Sequence, residues 1–387
     1  MTPTEADAFV LERAAYVHIP FCSAVCPYCD FAVVAGRDDL VETYVAALCR
    51  EIQTRPAWQP LSAVYFGGGT PSHVDPPMLG EILMMLESKH GITFDAEVSL
   101  EANPEDFTLA RARALRDAGF NRVSFGAQSF DGGVLADLGR RHEDRQVVEA
   151  VAAAREGGFD NVSVDLIYGS PVETDESWRE TLERAIALGL DHVSCYALTV
   201  ERGTPLGRAV LAGAPSPDAD VQADRYETAD ETLVDAGFNR YEVSNWCKQG
   251  KECRYNLVVW AQGEYEAYGN GAHGYRNGVR YRNHRRIDAY LNAVQSGMSP
   301  RAGTEDVGGW DAELDRLFVG LRRVVGVSNG PGTDALLASR EGADLLAAGV
   351  IESDAGRLRV GKPLLTDAVH RSVLAQTGPI VRGDDDA

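Results

Sequence analysis

The sequence of 387 residues predicts an α/β protein whose main domain is a full or partial TIM-type barrel of strand–helix units. Three observations predict it: a helix–turn–strand phrase recurs along the first two thirds of the chain, strand-length apolar runs alternate with helical patterns, and several of these runs carry polar residues at every second position. The length and a hydrophobic content of 44% allow one large core and a smaller second one. We therefore expect two domains.

The recurring phrase places a glycine and then an apolar residue after a helical pattern. It reads Asp-Ala-Gly-Phe-Asn at 117–121, Glu-Gly-Gly-Phe-Asp at 156–160 and Asp-Ala-Gly-Phe-Asn at 235–239, with a looser copy at 188–191. Glycine adopts the left-handed conformation that ends a helix, and the apolar residue anchors the turn into the next strand. Strands are predicted at 16–19, 63–66, 97–102, 122–125, 163–167, 193–198 and 241–244. This alternation indicates parallel βα units with right-handed crossovers.

Polar residues alternate with apolar ones in the strand at 97–102 and its extension. Glu97, Ser99, Glu101 and Asn103 share one face, because successive side chains of a strand point in opposite directions. Buried carboxylates without partners are costly, so this face is expected to line a solvated or ligand-filled lumen. Similar alternation puts further polar residues there: Tyr16, His18, Arg122, Ser124, Gln128, Ser163 and Asp165. A packed polar barrel core with satisfied hydrogen bonds is the alternative.

Charge and the N-terminal sequence limit the function classes. With 58 acidic and 37 basic residues the formal charge is −21, which argues against nucleic-acid substrates. Residues 1–13 are acidic and are predicted to be flexible; they lack a signal-peptide pattern, and no apolar run predicts an integral membrane segment. We expect a cytoplasmic protein, with peripheral membrane association left open. One basic run either receives the carboxylates of a small ligand or is a solvated face: Arg276, Arg280, Arg282, His284, Arg285 and Arg286.

Three of the seven cysteines lie on one short loop after the first strand. Cys22, Cys26 and Cys29 have the spacing C-x3-C-x2-C. Three thiolates can coordinate three irons of a [4Fe–4S] cubane and leave the fourth iron open, where the amino and carboxylate groups of S-adenosylmethionine can chelate it. Structural zinc normally takes four closed ligands, and no second Cys or His pair follows nearby. The other cysteines are single and are expected to be small buried residues.

A glycine-rich turn follows the second predicted strand, as Phe-Gly-Gly-Gly-Thr-Pro-Ser over 66–72. Glycines let the backbone approach a ligand closely and are expected to leave N–H and C=O groups free for the methionine moiety. The turn alone is a weak signal. Its place directly after the cysteine loop favours a shared binding site.

Several ordered motifs between residue 16 and the C-terminus carry a family resemblance. They include Tyr-Val-His-Ile-Pro-Phe-Cys at 16–22, the cysteine loop, the glycine turn, Glu-Ala-Asn-Pro at 101–104, Gly-Ala-Gln-Ser-Phe at 126–130, and Asp-Leu-Ile-Tyr-Gly at 165–169. Together they resemble the coproporphyrinogen-oxidase-related branch of radical-SAM proteins and, within it, the HemW heme chaperones. The resemblance implies that S-adenosylmethionine is contacted by Tyr16, Tyr28, Gly68, Gly69, Thr70, Glu101, Gln128, Arg140 and Asp165.

Two departures from the family patterns bear on function. The oxygen-independent oxidases carry a further cysteine two residues after the third ligand, where this chain has Phe31, so the resemblance argues against decarboxylase activity. HemW proteins usually have His-Asn-x-x-Tyr-Trp, whose histidine is implicated in heme binding. Here Tyr255 and Val259 replace the His and the Tyr. Tyr255 as a tyrosinate and the nearby His273 are the candidate heme ligands, and each has a packing or structural role as its alternative.

The resemblance and the pattern changes divide the chain into four parts. These are a flexible N-terminus at 1–13, a radical-SAM barrel with its extension at 14–300, a winged-helix-like α+β domain at 301–382 with a hairpin at 350–360, and an acidic tail at 383–387. The expected function is a heme chaperone that passes heme to an acceptor protein. The alternatives are an oxygen-independent coproporphyrinogen III oxidase and a radical-SAM enzyme with another substrate.

Overall fold

A computed structural model describes residues 2–376 of the chain. Its strands, in chain order, are β1 (Arg13–Ile19), β2 (Phe21–Cys22), β3 (Val34–Ala35), β4 (Leu61–Gly68), β5 (Ile92–Ala102), β6 (Arg122–Gln128), β7 (Asn161–Tyr168), β8 (His192–Ala197), β9 (Asn239–Glu242), β10 (Asn245–Cys247), β11 (Glu264–Tyr268), β12 (His273–Arg276), β13 (Val279–Asn283), β14 (Arg301–Asp306), β15 (Val327–Ser328), β16 (Ile351–Asp354) and β17 (Arg357–Val360).

Helices follow most of the parallel strands, as the repeated phrase predicts. In chain order they are α1 (Pro3–Ala8), α2 (Val41–Thr54), α3 (Pro76–His90), α4 (Leu109–Asp117), α5 (Gly132–Asp137), α6 (Asp144–Glu156), α7 (Asp175–Ala187), α8 (Pro205–Leu211), α9 (Ala219–Asp235), α10 (Arg254–Trp260), α11 (Ile287–Gln295), α12 (Gly309–Gly320), α13 (Pro331–Ala338), α14 (Arg340–Ala347) and α15 (Thr366–Leu374). Within the described residues, no helix has both the length and the apolar character needed to cross a bilayer.

The main sheet has twelve strands in the order β14-β13-β12-β11-β1-β4-β5-β6-β7-β8-β10-β9. Seven neighbouring strands, from β11 through β1 and β4 to β8, are parallel. Antiparallel strands extend both sides. The order runs from one edge strand to another, so the sheet is an open, partial barrel of βα units, and that part of the fold prediction is confirmed.

The predicted strand at 241–244 differs from the structure. It was expected to be a further parallel strand, and β9 does run in the same direction as β8, but it lies at the sheet edge, because β10 pairs antiparallel with both strands and separates them. The carboxylate of Glu242 accepts hydrogen bonds from the Ser244 N–H and the Asn245 amide, both at 2.6 Å. These bonds close a tight turn after β9, so the chain reverses at once into β10, which takes the position beside β8.

The C-terminal part has a separate core beneath a three-stranded sheet, β15-β17-β16. Leu317, Leu336, Ile351, Leu358 and Val369 are buried together there, between the small sheet and helices α12 to α15. The predicted hairpin at 350–360 corresponds to β16 and β17, which pair antiparallel. Helices with a small antiparallel wing agree with the expected winged-helix-like α+β domain.

The domain limits need two corrections. The barrel extension does not end at residue 300, because β14 pairs with β13 as the edge strand of the main sheet and carries that sheet to Asp306. Residues 2–13 contain α1 and a 3-10 turn, with Asp7 bonded to Arg357 at 2.6 Å, so they have more structure than the flexible segment that the sequence predicts. The predicted tail at 383–387 lies outside the described residues.

Candidate functional site

A cavity of about 420 Å³ opens at the carboxyl ends of the parallel strands, where βα folds bring their loops together. The cysteine loop, the glycine turn and the ends of β5 to β8 form its walls. The lining includes eleven of the residues predicted from the sequence: Cys22, Cys26, Cys29, Tyr28, Gly68, Gly69, Thr70, Glu101, Gln128, Arg140 and Asp165. The fold thus brings residues from far apart in the sequence to one site.

The cysteine loop is a closed excursion from the end of β1. Cys22 and Phe21 form β2, which pairs with β3 and ties the two ends of the loop together. All three thiols are partly exposed. The Thr70 hydroxyl donates to Cys22 Sγ at 3.7 Å, and Arg140 Nη1 donates to Cys26 Sγ at 3.5 Å. Two donors from other elements therefore point at the thiol sulfurs, as they do at metal-bound thiolates.

The thiols suit a cluster more than a single ion. In the described part of the chain, no three His, Cys, Asp or Glu side chains converge as the ligands of one metal ion would. In a cubane each thiolate binds a different iron, so the sulfurs need only face a common volume, which here is the cavity. Burial raises the pKa of Cys22 to about 11, and burial also raises the pKa of Cys29. Iron binding would displace these protons.

The glycine turn serves the cysteine loop directly, which differs from the prediction that its N–H groups are free. Gly69 N–H donates to the Ile19 carbonyl at 2.9 Å, and Thr70 N–H donates to the Phe21 carbonyl at 2.8 Å. Gly68 N–H donates to Glu101 Oε2 at 3.1 Å. The backbone of the turn therefore holds the cysteine loop against the end of β5, because its donors are satisfied within the protein.

Replacing Gly69 by alanine is expected to disturb cluster assembly. A Cβ at this position would lie 2.8 Å from the Ile19 and Phe21 carbonyl oxygens, so the stem of the cysteine loop would have to move. Overpacking of this kind costs about 1–3 kcal/mol. A complete [4Fe–4S] centre gives about four irons per chain, and we expect the reconstituted variant to contain clearly fewer. Gly132→Ala is the matched control, since nothing lies within 4 Å of its added Cβ; equal iron contents in the two variants would contradict this role.

The carboxylates of Glu101 and Asp165 line the cavity. Glu101 accepts from the Tyr65 hydroxyl at 2.9 Å, and Asp165 accepts from the Ser124 hydroxyl at 3.0 Å. Burial, with Asp165 nearby, raises the pKa of Glu101 to about 7, and burial raises the pKa of Asp165. A cationic ligand or ribose hydroxyls would stabilise both ionised carboxylates.

Arg140 is fixed beside the cysteine loop. Its Nη2 donates to Asn103 Oδ1 at 2.8 Å and to the Gly126 carbonyl at 2.9 Å. Its buried Nε has no hydrogen-bond partner within the described residues. A held guanidinium group with an unused donor is suited to binding a carboxylate.

Of the candidate contacts for S-adenosylmethionine and heme, three lie outside this cavity lining: Tyr16, Tyr255 and His273. The Tyr16 hydroxyl is 3.2 Å from His18 Nδ1, and the Tyr16 ring lies 5.9 Å from that of Tyr255. Tyr255 also stacks on Tyr65 at 5.2 Å. These rings form a layer beneath the cavity, where only Tyr65 reaches the lining. His273 is exposed on β12, opposite Arg282 of β13.

Asn103 lines the cavity, as the alternation in its strand predicts. The cavity also contains residues that the sequence did not place there, namely Tyr65, Tyr196 and the apolar Val25 and Phe31. Tyr65 pairs in register with Ser99, so the alternation that placed Ser99 in the lumen could have identified it. Tyr196 and Val25 had no such signal, because they lie at a strand end and in a loop.

The open βα barrel, with three cysteines on its first βα loop, defines a radical SAM protein, and the model of the radical SAM superfamily matches residues 16–185. "Heme chaperone HemW" of Mycobacterium tuberculosis H37Rv is 39% identical over 372 residues, which cover 93% of this chain and 94% of that protein. HemW of Bacillus subtilis 168 is 34% identical over 321 residues, covering 82% and 85%. The chain belongs to the HemW family of radical SAM proteins, which confirms the resemblance seen in the sequence.

A solved structure agrees on the fold. Coproporphyrinogen III oxidase (HemN) of Escherichia coli, a radical SAM enzyme, superposes with a TM-score of 0.80 over 95% of this chain and 92% of that chain, at 22% identity. The family implies a [4Fe–4S] cluster and S-adenosylmethionine. The cavity fits both groups, because it combines three thiols with two buried carboxylates and a held guanidinium group.

Proposed function

We propose that this chain is a heme chaperone, which holds heme near a [4Fe–4S] cluster with bound S-adenosylmethionine and passes the heme to an acceptor protein. The relatives that it matches over most of its length are named heme chaperones. The observation that carries the proposal is the apolar mouth of the cysteine cavity: Phe31, Val25 and Tyr196 are 63%, 46% and 42% exposed. An exposed apolar rim of this kind suits a flat apolar ligand or a partner surface.

In this proposal Cys22, Cys26 and Cys29 are the iron ligands, and the cluster supplies an open iron for the amino and carboxylate groups of S-adenosylmethionine. Arg140 binds the carboxylate, since its buried Nε is unused. Glu101 and Asp165 receive ribose hydroxyls or the amino group, and Tyr28, Gly68, Gly69, Thr70 and Gln128 complete the contacts. Tyr16 acts from beneath, through its contact with His18.

Of the two candidate heme ligands, His273 is favoured over Tyr255. Burial raises the pKa of Tyr255 far above its usual range, and its ring is stacked on other tyrosines, so tyrosinate formation is costly. His273 is exposed, and partial burial with neighbouring arginines lowers its pKa, which keeps the imidazole neutral for iron. Arg282 lies opposite His273 on the same hairpin and can receive a propionate.

The hairpin of β12 and β13 starts beside the cysteine loop. The Asn270 amide donates to the carbonyls of Ala32 at 3.1 Å and Arg285 at 2.9 Å. The Arg285 guanidinium group donates to the carbonyl of Asp30. Heme on His273 would therefore lie next to the loop that carries the cluster ligands, which supports one functional unit for both groups.

Replacing His273 by alanine is expected to weaken heme binding at least tenfold, which corresponds to about 1.4 kcal/mol, because an axial iron ligand is lost. Heme titration followed in the Soret band measures the change. Tyr255→Phe should bind heme as the wild type does. His284→Ala is the matched control, since His284 lies on the same segment. Unchanged affinity in the His273 variant, or an equal loss in the His284 variant, would remove His273 as the ligand.

The competing function is radical decarboxylation of coproporphyrinogen III. The oxidases that this chain resembles carry a further cysteine, and Phe31 takes its place here. We expect no protoporphyrinogen IX when the anaerobically reconstituted protein is incubated with coproporphyrinogen III, S-adenosylmethionine and a reductant. Product formation with more than one turnover would establish the oxidase in place of the chaperone.

A further inference from the structure

A second cavity, of about 700 Å³, lies away from the cysteine site and shares no lining residue with it. The end of α2, the strands β11 to β13 and the segment that follows α11 enclose it. Thr54, Ser299 and Tyr281 are among the lining residues. A polar concave surface of this size can accommodate a small polar ligand.

The ionisable groups of this cavity are mainly basic, although the chain as a whole carries a charge of −21. They are Arg50, Arg55, Arg276, Arg301, Glu51 and Glu266. Four guanidinium groups against two carboxylates leave a surplus of two positive charges. In an acidic protein, such a local reversal of sign attracts anions to one place.

The two glutamates are already bonded within the protein. Glu51 accepts from Arg55 at 2.6 Å, from Asn283 at 2.9 Å and from Tyr290 at 2.8 Å. Glu266 accepts from Arg276 at 2.5 Å and from the Tyr281 hydroxyl. These carboxylates fix Arg55 and Arg276, and they have no contact of this kind with the other two arginines.

In the described part of the chain, no carboxylate neutralises the positive charges of Arg301 and Arg50. Among residues 2–376, neither guanidinium group has a carboxylate within 4.0 Å, as the salt bridges of that range show. The Arg301 guanidinium carbon lies 3.9 Å from the centre of the Tyr281 ring, and its buried Nε has no hydrogen-bond partner in that range. Stacking holds the planar group in place, so little side-chain entropy is lost when it binds a ligand.

We propose that this cavity binds a small multivalent oxyanion, a polycarboxylate or a polyphosphate, through Arg301 and Arg50. The planar fork of arginine donates two parallel hydrogen bonds to a carboxylate or phosphate group. Arg55 and Arg276, held by their glutamates, add positive potential behind the ligand. The site is independent of the heme proposal, because it uses none of the residues named for heme or for the cluster.

Isothermal titration of the reconstituted full chain with pyrophosphate and with citrate tests this proposal, at constant ionic strength set with sodium chloride. We expect saturable binding of at least one probe with a stoichiometry of about one. The probe that binds more tightly shows whether the cavity prefers phosphate or carboxylate groups. Arg301→Gln should weaken that binding about tenfold or more, since charge-assisted bonds are lost. Arg50→Gln should also weaken it.

The control is Arg179→Gln, because Arg179 is exposed on α7 and lies outside the cavity. The affinity of this variant for the probe should stay within about twofold of the wild-type affinity. Circular dichroism shows whether the Arg301 variant is folded. The Arg50 variant tests anion binding without disturbing the stack on Tyr281, because Arg50 is exposed. Absence of saturable binding of both probes would overturn the proposal. Binding that neither the Arg301 nor the Arg50 variant weakens would also overturn it.

Discussion

Replacement of Cys22, Cys26 or Cys29 by alanine is expected to abolish the visible absorption of the anaerobically reconstituted protein. The wild type should contain about four irons and four sulfides per chain, and each variant a small fraction of that. The expectation rests on the three thiols lining one cavity on a loop whose two ends are tied together by β2 and β3. A cubane held by three protein ligands does not survive the loss of one, because a second iron is left open.

The other four cysteines supply the control. Cys49, Cys195, Cys247 and Cys253 are all buried away from the cavity, and burial raises the pKa of Cys49 to about 11 and that of Cys253 to about 12. Cys49→Ala should therefore keep the full iron content. A requirement for Cys247 or Cys253, with Cys26 dispensable, would show that the cluster lies elsewhere.

Replacement of Arg140 by glutamine should lower the affinity for S-adenosylmethionine about tenfold or more, which is the loss expected for a charge-assisted pair with a carboxylate. Arg140 is held by Asn103 and by the Gly126 carbonyl, and so faces the site already oriented. Because Arg140 also contacts Cys26, iron content is measured on the same sample. We expect iron to be retained while equilibrium binding of S-adenosylmethionine is weakened.

The neighbouring Arg141 provides a matched control for that measurement. It is exposed and absent from the cavity lining, so Arg141→Gln should bind S-adenosylmethionine as the wild type does. Equal losses in the two variants would mean that net charge, and not the position of Arg140, sets the affinity. Unchanged affinity in the Arg140 variant would remove Arg140 from the site.

The parallel part of the fold was predictable because it is built from repeated units. Each copy of the glycine phrase sets a helix end and a strand start, and these are local signals. The strand β11 carried no such signal, since Gly263 is followed by the charged Glu264 and not by the apolar residue of the repeated phrase. It joins the sheet only through pairing with β1, which is far away in sequence.

For the site, the sequence indicated which residues face the lumen but gave less information about depth. Tyr16 and Glu101 were both assigned to contact S-adenosylmethionine, yet Glu101 lines the cavity and Tyr16 lies beneath it. Depth depends on strand stagger, which is a tertiary property. The glycine turn gives a second example: its composition predicted free N–H groups, whereas tertiary contacts with the cysteine loop use them.

Heme titration of the reconstituted wild type, with iron and sulfide measured before and after, tests the proposed function most directly. The proposal predicts saturation at about one heme per chain, with about four cluster irons still bound afterwards. The reason is that His273 and the three cysteines are separate groups on adjoining segments. Failure of the Soret signal to saturate would contradict the proposal, and so would heme uptake that occurs only with loss of the cluster.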